Sequence, residues 1–283
     1  MEEIAVIIVL YNPDIASLGE KLRGLKTTVI LVDNSENDSI MENFGDNIIY
    51  IPLHSNTGIA NAQNVGITKA VELKKTYLVF FDQDTSLKEE TIEKLYSGYQ
   101  ELKERDSNVG ALGPVVCDNA DGAIYDDRLL TCERFIKIDR MISSGMFIEL
   151  CLLEIVGRMN QFLFIDNVDS EFCWRIGKHG FNCYIDNSIQ MSHKIGTKMF
   201  QLFGFKFIIS SPKRYYYQYR NFFILCRFGY VPNSWKIKNL IRRILEILII
   251  PIYAGKLSIF CNMIYGTLSG IKYLVQGIPS SNR

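Results

Sequence analysis

A mostly parallel α/β sheet with helices on both faces is the fold this sequence predicts, and three observations carry it. The first is a set of short, continuous apolar runs, Ile4–Leu10, Val29–Val32 and Tyr77–Phe81, each the length of a strand buried on both faces. The second is that stretches with helical spacing lie between them, as right-handed βαβ crossovers require. The third is that the runs stop abruptly in polar groups: Asn12 after the first, Asp33, Asn34 and Ser35 after the second, Asp82 and Asp84 after the third. Ligands of open α/β sheets bind at the carboxyl edge of the strands, so these polar residues share one rim.

Taken in order, Tyr11-Asn12-Pro13 ends the first strand and a helix follows from about Asp14 to Leu25. The second strand runs Val29–Ser35 and the third Ile48–Ile51. His54–Gly66 opens the next helix, whose inward stripe is predicted at Ile59, Ala62, Gly66, Ala70 and Leu73. Asn61 and Asn64 share another face near its start, where free N–H groups favour polar or anionic ligands. A well-capped packing helix accounts for the same residues. After Asp84 comes a helix with Ile92, Leu95, Tyr99 and Leu102 inward, then a strand at Val109–Val115. Residues 117–140, rich in Asp, Gly and Arg, read as a surface loop or as an excursion covering a substrate. Strand character resumes at Met141–Ile148, a short helix spans Leu152–Gly157, and strands at Phe181–Ile185 and Ser188–His193 close the pattern.

Two carboxylate groups carry the chemistry. Alternate residues of an extended chain point the same way, so Asp82 and Asp84 can converge on one ligand. Their mutual repulsion calls for a cation or hydrogen-bond donors. Mg²⁺ or Mn²⁺ suits the pair, because such ions take one or two protein carboxylates and the rest of their ligands from substrate phosphates. Either acid could instead cap the following helix. Further on, Asp166, Asp169 and Glu171 crowd the start of a helix that runs to His179-Gly180. Three carboxylates in six residues exceed what a cap needs, and one on a cleft rim is a candidate general base. His193 reads as structural or as a metal ligand, and His54 and His179 have no evident role.

Length and composition fit a globular chain of one large domain or two small ones: 283 residues, 48% hydrophobic and 22% charged. A net charge of zero conceals an asymmetry, with 30 acidic and 17 basic residues in 1–186 against one acidic and 14 basic in 187–283. The basic end calls for an anionic partner: a diphosphate, a membrane surface or nucleic acid. Seven cysteines without C-x-x-C spacing, and no secretory segment before the first strand, are expected to be scattered buried thiols in a reducing cytosol.

Six segments, in order, resemble the family 2 glycosyltransferases of the GT-A fold, most closely the bacterial rhamnosyltransferase branch. They are Leu10-Tyr11-Asn12-Pro13, Val32-Asp33-Asn34-Ser35, Asn56–Gly66, Phe81-Asp82-Gln83-Asp84-Thr85, Asp166–Glu171 and Ser211–Asn221. The resemblance reaches from the first strand to about residue 230. It implies that Tyr11 and Asp33 hold the nucleobase of a nucleotide-sugar, with Asn12, Asn34 and Gln83 beside them and Asn61 and Asn64 lining the pocket. Asp84 would bind a Mg²⁺ or Mn²⁺ bridging the diphosphate, His193 would supply another ligand, and Asp82 would contact ribose, sugar or the metal through water. Asp169 falls at the base position, with Glu171 and Asp166 as the other acids in contention. Arg214 and Arg220 would face the diphosphate. The implied reaction is inverting transfer of a sugar, L-rhamnose from dTDP-rhamnose first, onto a polysaccharide or lipid-linked oligosaccharide such as an O-antigen. No activated Ser or Cys arrangement is present, and none is needed.

Basic residues interleave with aromatics from Lys213 to Arg227, but no nucleic-acid module is recognisable and the acidic front half would repel phosphate backbones, so no nucleic acid is expected. From Trp235 onward Lys236, Lys238, Arg242 and Arg243 precede the apolar run Ile247–Gly255, and a second uncharged stretch covers 257–271. Both fall short of the roughly 18–20 apolar residues that span a bilayer. The expected organisation is a GT-A domain at 1–230 and a helical tail at 231–283 that lies in the plane of the inner face of the cytoplasmic membrane. The competing expectation is a hairpin packed on the core or on a second copy in a homo-oligomer. Rival functions are the same transfer from a UDP-hexose, a nucleotide-sugar-binding module without catalysis, and a nucleotidyltransferase, which would release pyrophosphate.

Overall fold

The computed structural model describes residues 1–39, 44–118, 132–193, 199–202 and 205–277. Its centre is an eight-stranded sheet in the order β3-β2-β1-β4-β7-β5-β8-β6. The strands are β1 (Ile4–Leu10), β2 (Thr28–Asp33), β3 (Ile48–Pro52), β4 (Tyr77–Asp82), β5 (Val109–Asp118), β6 (Phe135–Ile138), β7 (Phe147–Glu149) and β8 (Asn182–His193). β1 pairs in parallel with β2 and β4, β2 with β3, and β5 with β8. A separate hairpin joins β9 (Met199–Leu202) to β10 (Phe205–Ile208).

Alternation along the central strands feeds two cores. Ala5, Ile7, Ile30, Val32, Leu78 and Phe80 face one layer with α2 (Ile59–Glu72), α4 (Leu152–Val156) and α5 (Val168–Lys178). Ile4, Val6, Ile8, Leu31, Val79 and Phe81 face the other with α1 (Ile15–Leu22) and α3 (Glu89–Arg105). Burial of each of the larger side chains among them contributes about 1.5–3 kcal/mol. Asp14 caps α1 by accepting from Ala16 and Ser17 N–H. On α3, Ile92, Leu95, Tyr99 and Leu102 are all buried, as their spacing predicts.

Several expectations are corrected. Helix α1 stops at Leu22 because Arg23 turns extended. On α2 the buried residues are Ala60, Ala62, Gln63, Gly66, Ile67 and Ala70, while Leu73 is exposed just past the helix end. The segment expected as a strand from Met141 is a turn up to Met146, and only Phe147–Glu149 extends, antiparallel to β4 and β5. The expected pair 181–185 and 188–193 is one strand, β8, with a register shift opposite Pro114 and Val115. β6 lies in the stretch read as an excursion, whose residues 119–131 lie outside the described ones. The seven cysteines are free, but Cys173 and Cys183 alone among them are buried.

Three helices follow: α6 (Pro212–Cys226), α7 (Asn233–Ala254) and α8 (Leu257–Gln276). α8 lies directly on α6, its Gly266 and Gly270 against the backbone carbonyls of Tyr216 and Arg220. No helix of the described residues is long and apolar enough to cross a membrane.

Candidate active site

After β3 the chain returns to the other side of β1 as β4, which places the topological switch point between the carboxyl ends of β1 and β4. The register sets Val9 beside Asp82, and the turns that follow are laced together. Gln83 Oε1 accepts from Tyr11 N–H at 2.8 Å and Gln83 Nε2 donates to Tyr11 O at 3.2 Å. From below, Lys21 Nζ donates to Gln83 O at 2.6 Å. Burial pushes the Lys21 ammonium down, while Asp84 and Asp14 pull it the other way. Asp84 is thus exposed at a turn held from two sides, with half-buried Asp82 behind it.

The end of β2 organises the neighbouring rim. Asp33 is buried and accepts from Ser35 N–H at 3.0 Å, Ser39 N–H at 3.1 Å and Tyr50 OH at 2.7 Å. Burial alone would raise its pKa, but those hydrogen bonds outweigh it and hold the carboxyl below its ordinary value. Asn12 takes a positive φ of 46° while its N–H donates to Ser35 Oγ at 2.8 Å. Asn34 Oδ1 accepts from both N–H and Oγ1 of Thr57, and Thr57 Oγ1 in turn accepts from Asn61 at the start of α2. Tyr11 is half exposed above this network. Asn64 faces elsewhere, donating to Met159 O at 2.9 Å and accepting from Met159 N–H at 3.0 Å.

The downstream acids separate. Asp169 and Glu171 are two residues apart on α5, so the helical turn sends them to different faces. Glu171 is buried and receives Arg175 Nε at 2.8 Å and Tyr230 OH at 2.6 Å, which makes it a packing acid. Asp166 is gripped by Arg214 through Nε at 3.0 Å and Nη2 at 2.8 Å. Asp169 is half-buried and accepts from Ser170 N–H at 2.7 Å, and the Ser143 backbone lies near enough to its carboxyl to favour the ionised form. Burial pushes its carboxyl up, Asp166 adds to the shift, and the backbone hydrogen bonds only partly oppose it.

Ser143 and Ser144 join the two halves, and the sequence reading did not single them out. While the Ser143 backbone meets Asp169, Ser144 Oγ accepts from Asp82 N–H at 3.2 Å and shares a 2.7 Å hydrogen bond with Thr85 Oγ1. Neighbouring Cα atoms are about 3.8 Å apart, so the base candidate and the tip of β4 border one rim. Gly145 makes this turn possible: its φ is +83°, and a Cβ there would sit 2.5 Å from Pro114 Cδ. Two small polar residues before a glycine were the available signal.

Of the expected cationic pair, Arg214 is half exposed at the rim. Arg220 instead is buried and donates to Phe162 O at 2.6 Å and Leu163 O at 3.0 Å. The backbone of His193 ends β8, and its side chain lies outside the described residues. A hard divalent cation fits the oxygen donors at the tip of β4, which supply the one or two carboxylates such an ion takes from protein. Among the described residues no group of three or more His, Cys, Asp or Glu converges.

Residues 5–130 match the family described as Glycosyl transferase family 2. The chain is 33% identical over 292 residues to the dTDP-rhamnosyl transferase RfbF of Shigella flexneri, covering 97% of each. It is 24% identical over 202 residues to the low-salt glycan biosynthesis hexosyltransferase Agl10 of Haloferax volcanii, covering 64% of each. Among solved structures it is similar to GalNAc-T7 with UDP, GalNAc and Mn²⁺, at TM-score 0.53 and 13% identity over 82% of this chain and 53% of that one. S. aureus TarS in complex with UDP gives TM-score 0.51 and 16% identity over 78% of this chain and 64% of that one. At those identities the structural likeness speaks for the fold alone.

Proposed function

The chain belongs to the family 2 glycosyltransferases and carries their GT-A fold; from that premise we propose that it transfers L-rhamnose from dTDP-rhamnose, with inversion, onto a hydroxyl of a polysaccharide or lipid-linked oligosaccharide. The donor sugar is supported by the full-length likeness to the Shigella dTDP-rhamnosyl transferase. For the chemistry, the observation that carries the reading is the Ser143–Ser144 turn that sets Asp169 and the Asp82–Asp84 tip on one rim.

In this reading the acceptor hydroxyl oxygen bonds to the anomeric carbon from one face as the bond to the diphosphate oxygen breaks on the other. Asp169 takes the hydroxyl proton. A carboxylate whose proton affinity is raised by burial is a better base than an exposed one, and general-base assistance is worth about 10²–10⁴-fold. Asp166 keeps Arg214 at the same rim, where its positive charge also faces Asp169 and the departing diphosphate. Asp84, with Asp82 beside it and His193 as a further ligand, would hold a Mg²⁺ or Mn²⁺ whose charge offsets that of the leaving nucleoside diphosphate. Tyr11 and the Asp33–Asn34–Asn61 network form the nucleotide side. Residues 1–230 make up the transferase unit, and the helices beyond lie on the inner face of the cytoplasmic membrane, where a lipid-linked acceptor would be met.

A screen of nucleotide-sugars for donor hydrolysis, with and without Mn²⁺, tests this. The expected result is release of dTDP from dTDP-rhamnose only when metal is supplied, and preferential turnover of a UDP-hexose would replace the donor. That second donor has one observation in its favour, the partial likeness to a hexosyltransferase.

A further inference from the structure

The loop that leads into Asp169 is strained; Ala60 N–H of α2 donates to Phe164 O at 3.5 Å, and the side chains restraining the loop come from α6. Phe164, Asp166 and Asn167 all adopt positive φ, at 66°, 64° and 62°. At Phe164 ψ is −64°, and Ile165 N–H donates back to Leu163 O at 2.7 Å. This is the rare γ-turn that side chains other than hydrogen disfavour. Such conformations persist only where their surroundings over-determine them, and they cluster at functional sites.

Here the surroundings are Arg220 and Asn221. Asn221 is fully buried, and its Nδ2 donates to Leu163 O at 2.8 Å, Ile165 O at 2.7 Å and Asp166 O at 3.2 Å. Its Oδ1 accepts from Arg220 Nε and Nη2, which orients the amide so that its two N–H groups face the loop. Arg220 itself donates to the carbonyls of Phe162 and Leu163. Above them the Phe164 ring stacks on Tyr217 at 4.4 Å, and the Arg220 guanidinium lies 4.9 Å from the centre of the Tyr217 ring. A buried amide that only filled space would not need to gather the carbonyls of a strained turn that opens onto two carboxylates.

We propose that Asn221, oriented by Arg220, is a positioning residue: it holds the strained 163–167 loop so that Asp169 and the Asp166–Arg214 pair stand in place for the attack step. The inference rests on Asp169 being the base. Loosening the loop should slow the chemical step and affect donor binding far less: the loop meets α2 through Ala60 N–H and Gly58, whereas Asp33, Asn34 and Asn61 are tied to Tyr50 and Thr57.

The test compares full-length Asn221→Ala and Asn221→Asp with wild type; the second keeps size and Oδ1 but has no N–H to give. Hydrogen exchange should accelerate about tenfold or more at residues 160–171 and stay unchanged in the central strands. With dTDP-rhamnose and Mn²⁺, kcat for donor hydrolysis should fall about 10- to 100-fold while donor KM stays within about threefold, the scale of loss that small misplacements cause. Unchanged loop exchange in both variants would overturn the proposal. So would exchange raised throughout the sheet, or a rise in KM at constant kcat. Asp169→Asn run alongside separates the two readings: if it keeps wild-type kcat, the base assignment fails, whereas the exchange result still decides what Asn221 does to the loop.

Discussion

Asp169 combines a cost to folding with a gain to chemistry. Its folded carboxyl holds a proton more tightly than the ordinary value of 3.8, so at neutral pH the half-buried charge is a net expense to the fold. That expense builds as pH rises from the unfolded value towards the shifted one, is complete above the shifted value, and is absent only below the unfolded value. Asp169→Asn should therefore cut kcat by about 10²–10⁴-fold while leaving the thermal midpoint at pH 7 equal or higher, read by steady-state kinetics and calorimetry. The acid limb of the kcat profile should lie above the ordinary aspartate range. Asp33 has the opposite sign: its carboxyl is held low, so its contribution is complete above the unfolded value and is lost as pH falls through the folded one. Asp33→Ala removes the acceptor of Ser35 N–H and one acceptor each of Ser39 N–H and the Tyr50 hydroxyl, which still meet each other at 3.0 Å, and should cost about 1–3 kcal/mol in urea unfolding.

At the level of elements, the working parts are short connections held by rigid neighbours. The Ser143–Gly145 turn borders Asp169 on one side and hydrogen-bonds to the β4 tip through Ser144 on the other, and Gly145 N–H also donates to Phe80 O at 2.7 Å. Gly145→Ala would bring a Cβ against Pro114 in a backbone region that disfavours it. The expected loss is about 1–3 kcal/mol of stability together with a kcat defect, measured by denaturation and donor hydrolysis. Helix α8 depends in the same way on small residues. A methyl at Gly266 would overlap the Tyr216 carbonyl, and one at Gly270 would lie 2.8 Å from Arg220 O. Gly266→Ala should lower stability by a similar amount by pushing α8 off α6.

For the molecule as a whole, the C-terminal helices turn apolar side chains outward. Ile237, Ile244, Leu248 and Ile252 are 62%, 53%, 61% and 83% exposed, at spacings of seven, four and four along α7. Arg242 and Arg243 pair with buried Glu246 on the inner side. An amphipathic helix in solution has the reverse arrangement, and exposed apolar surface of this extent marks a contact face. Because α8 covers α6, deleting 235–283 would expose core, so the membrane proposal is better tested by point changes. Ile244→Glu with Leu248→Glu should abolish co-flotation with anionic liposomes and leave donor hydrolysis intact; undiminished flotation would refute a lipid-facing role for α7.

The residues that anchor the central strands, and the polar ones that end them, could be read from the chain alone. Apolar runs such as Ile4–Leu10 and Tyr77–Phe81 have one stable destination, a doubly covered sheet, and polar residues at their ends must then fall on one rim. Local pattern could not tell Asp169 from Glu171, because which carboxylate meets Arg175 and Tyr230 depends on segments far along the chain. Nor could it show that Arg220 turns inward, that β7 enters the sheet antiparallel, or that a serine turn links the two halves of the site. Those outcomes are decided by long-range packing and by where buried donors find acceptors. Only the folded chain sets both.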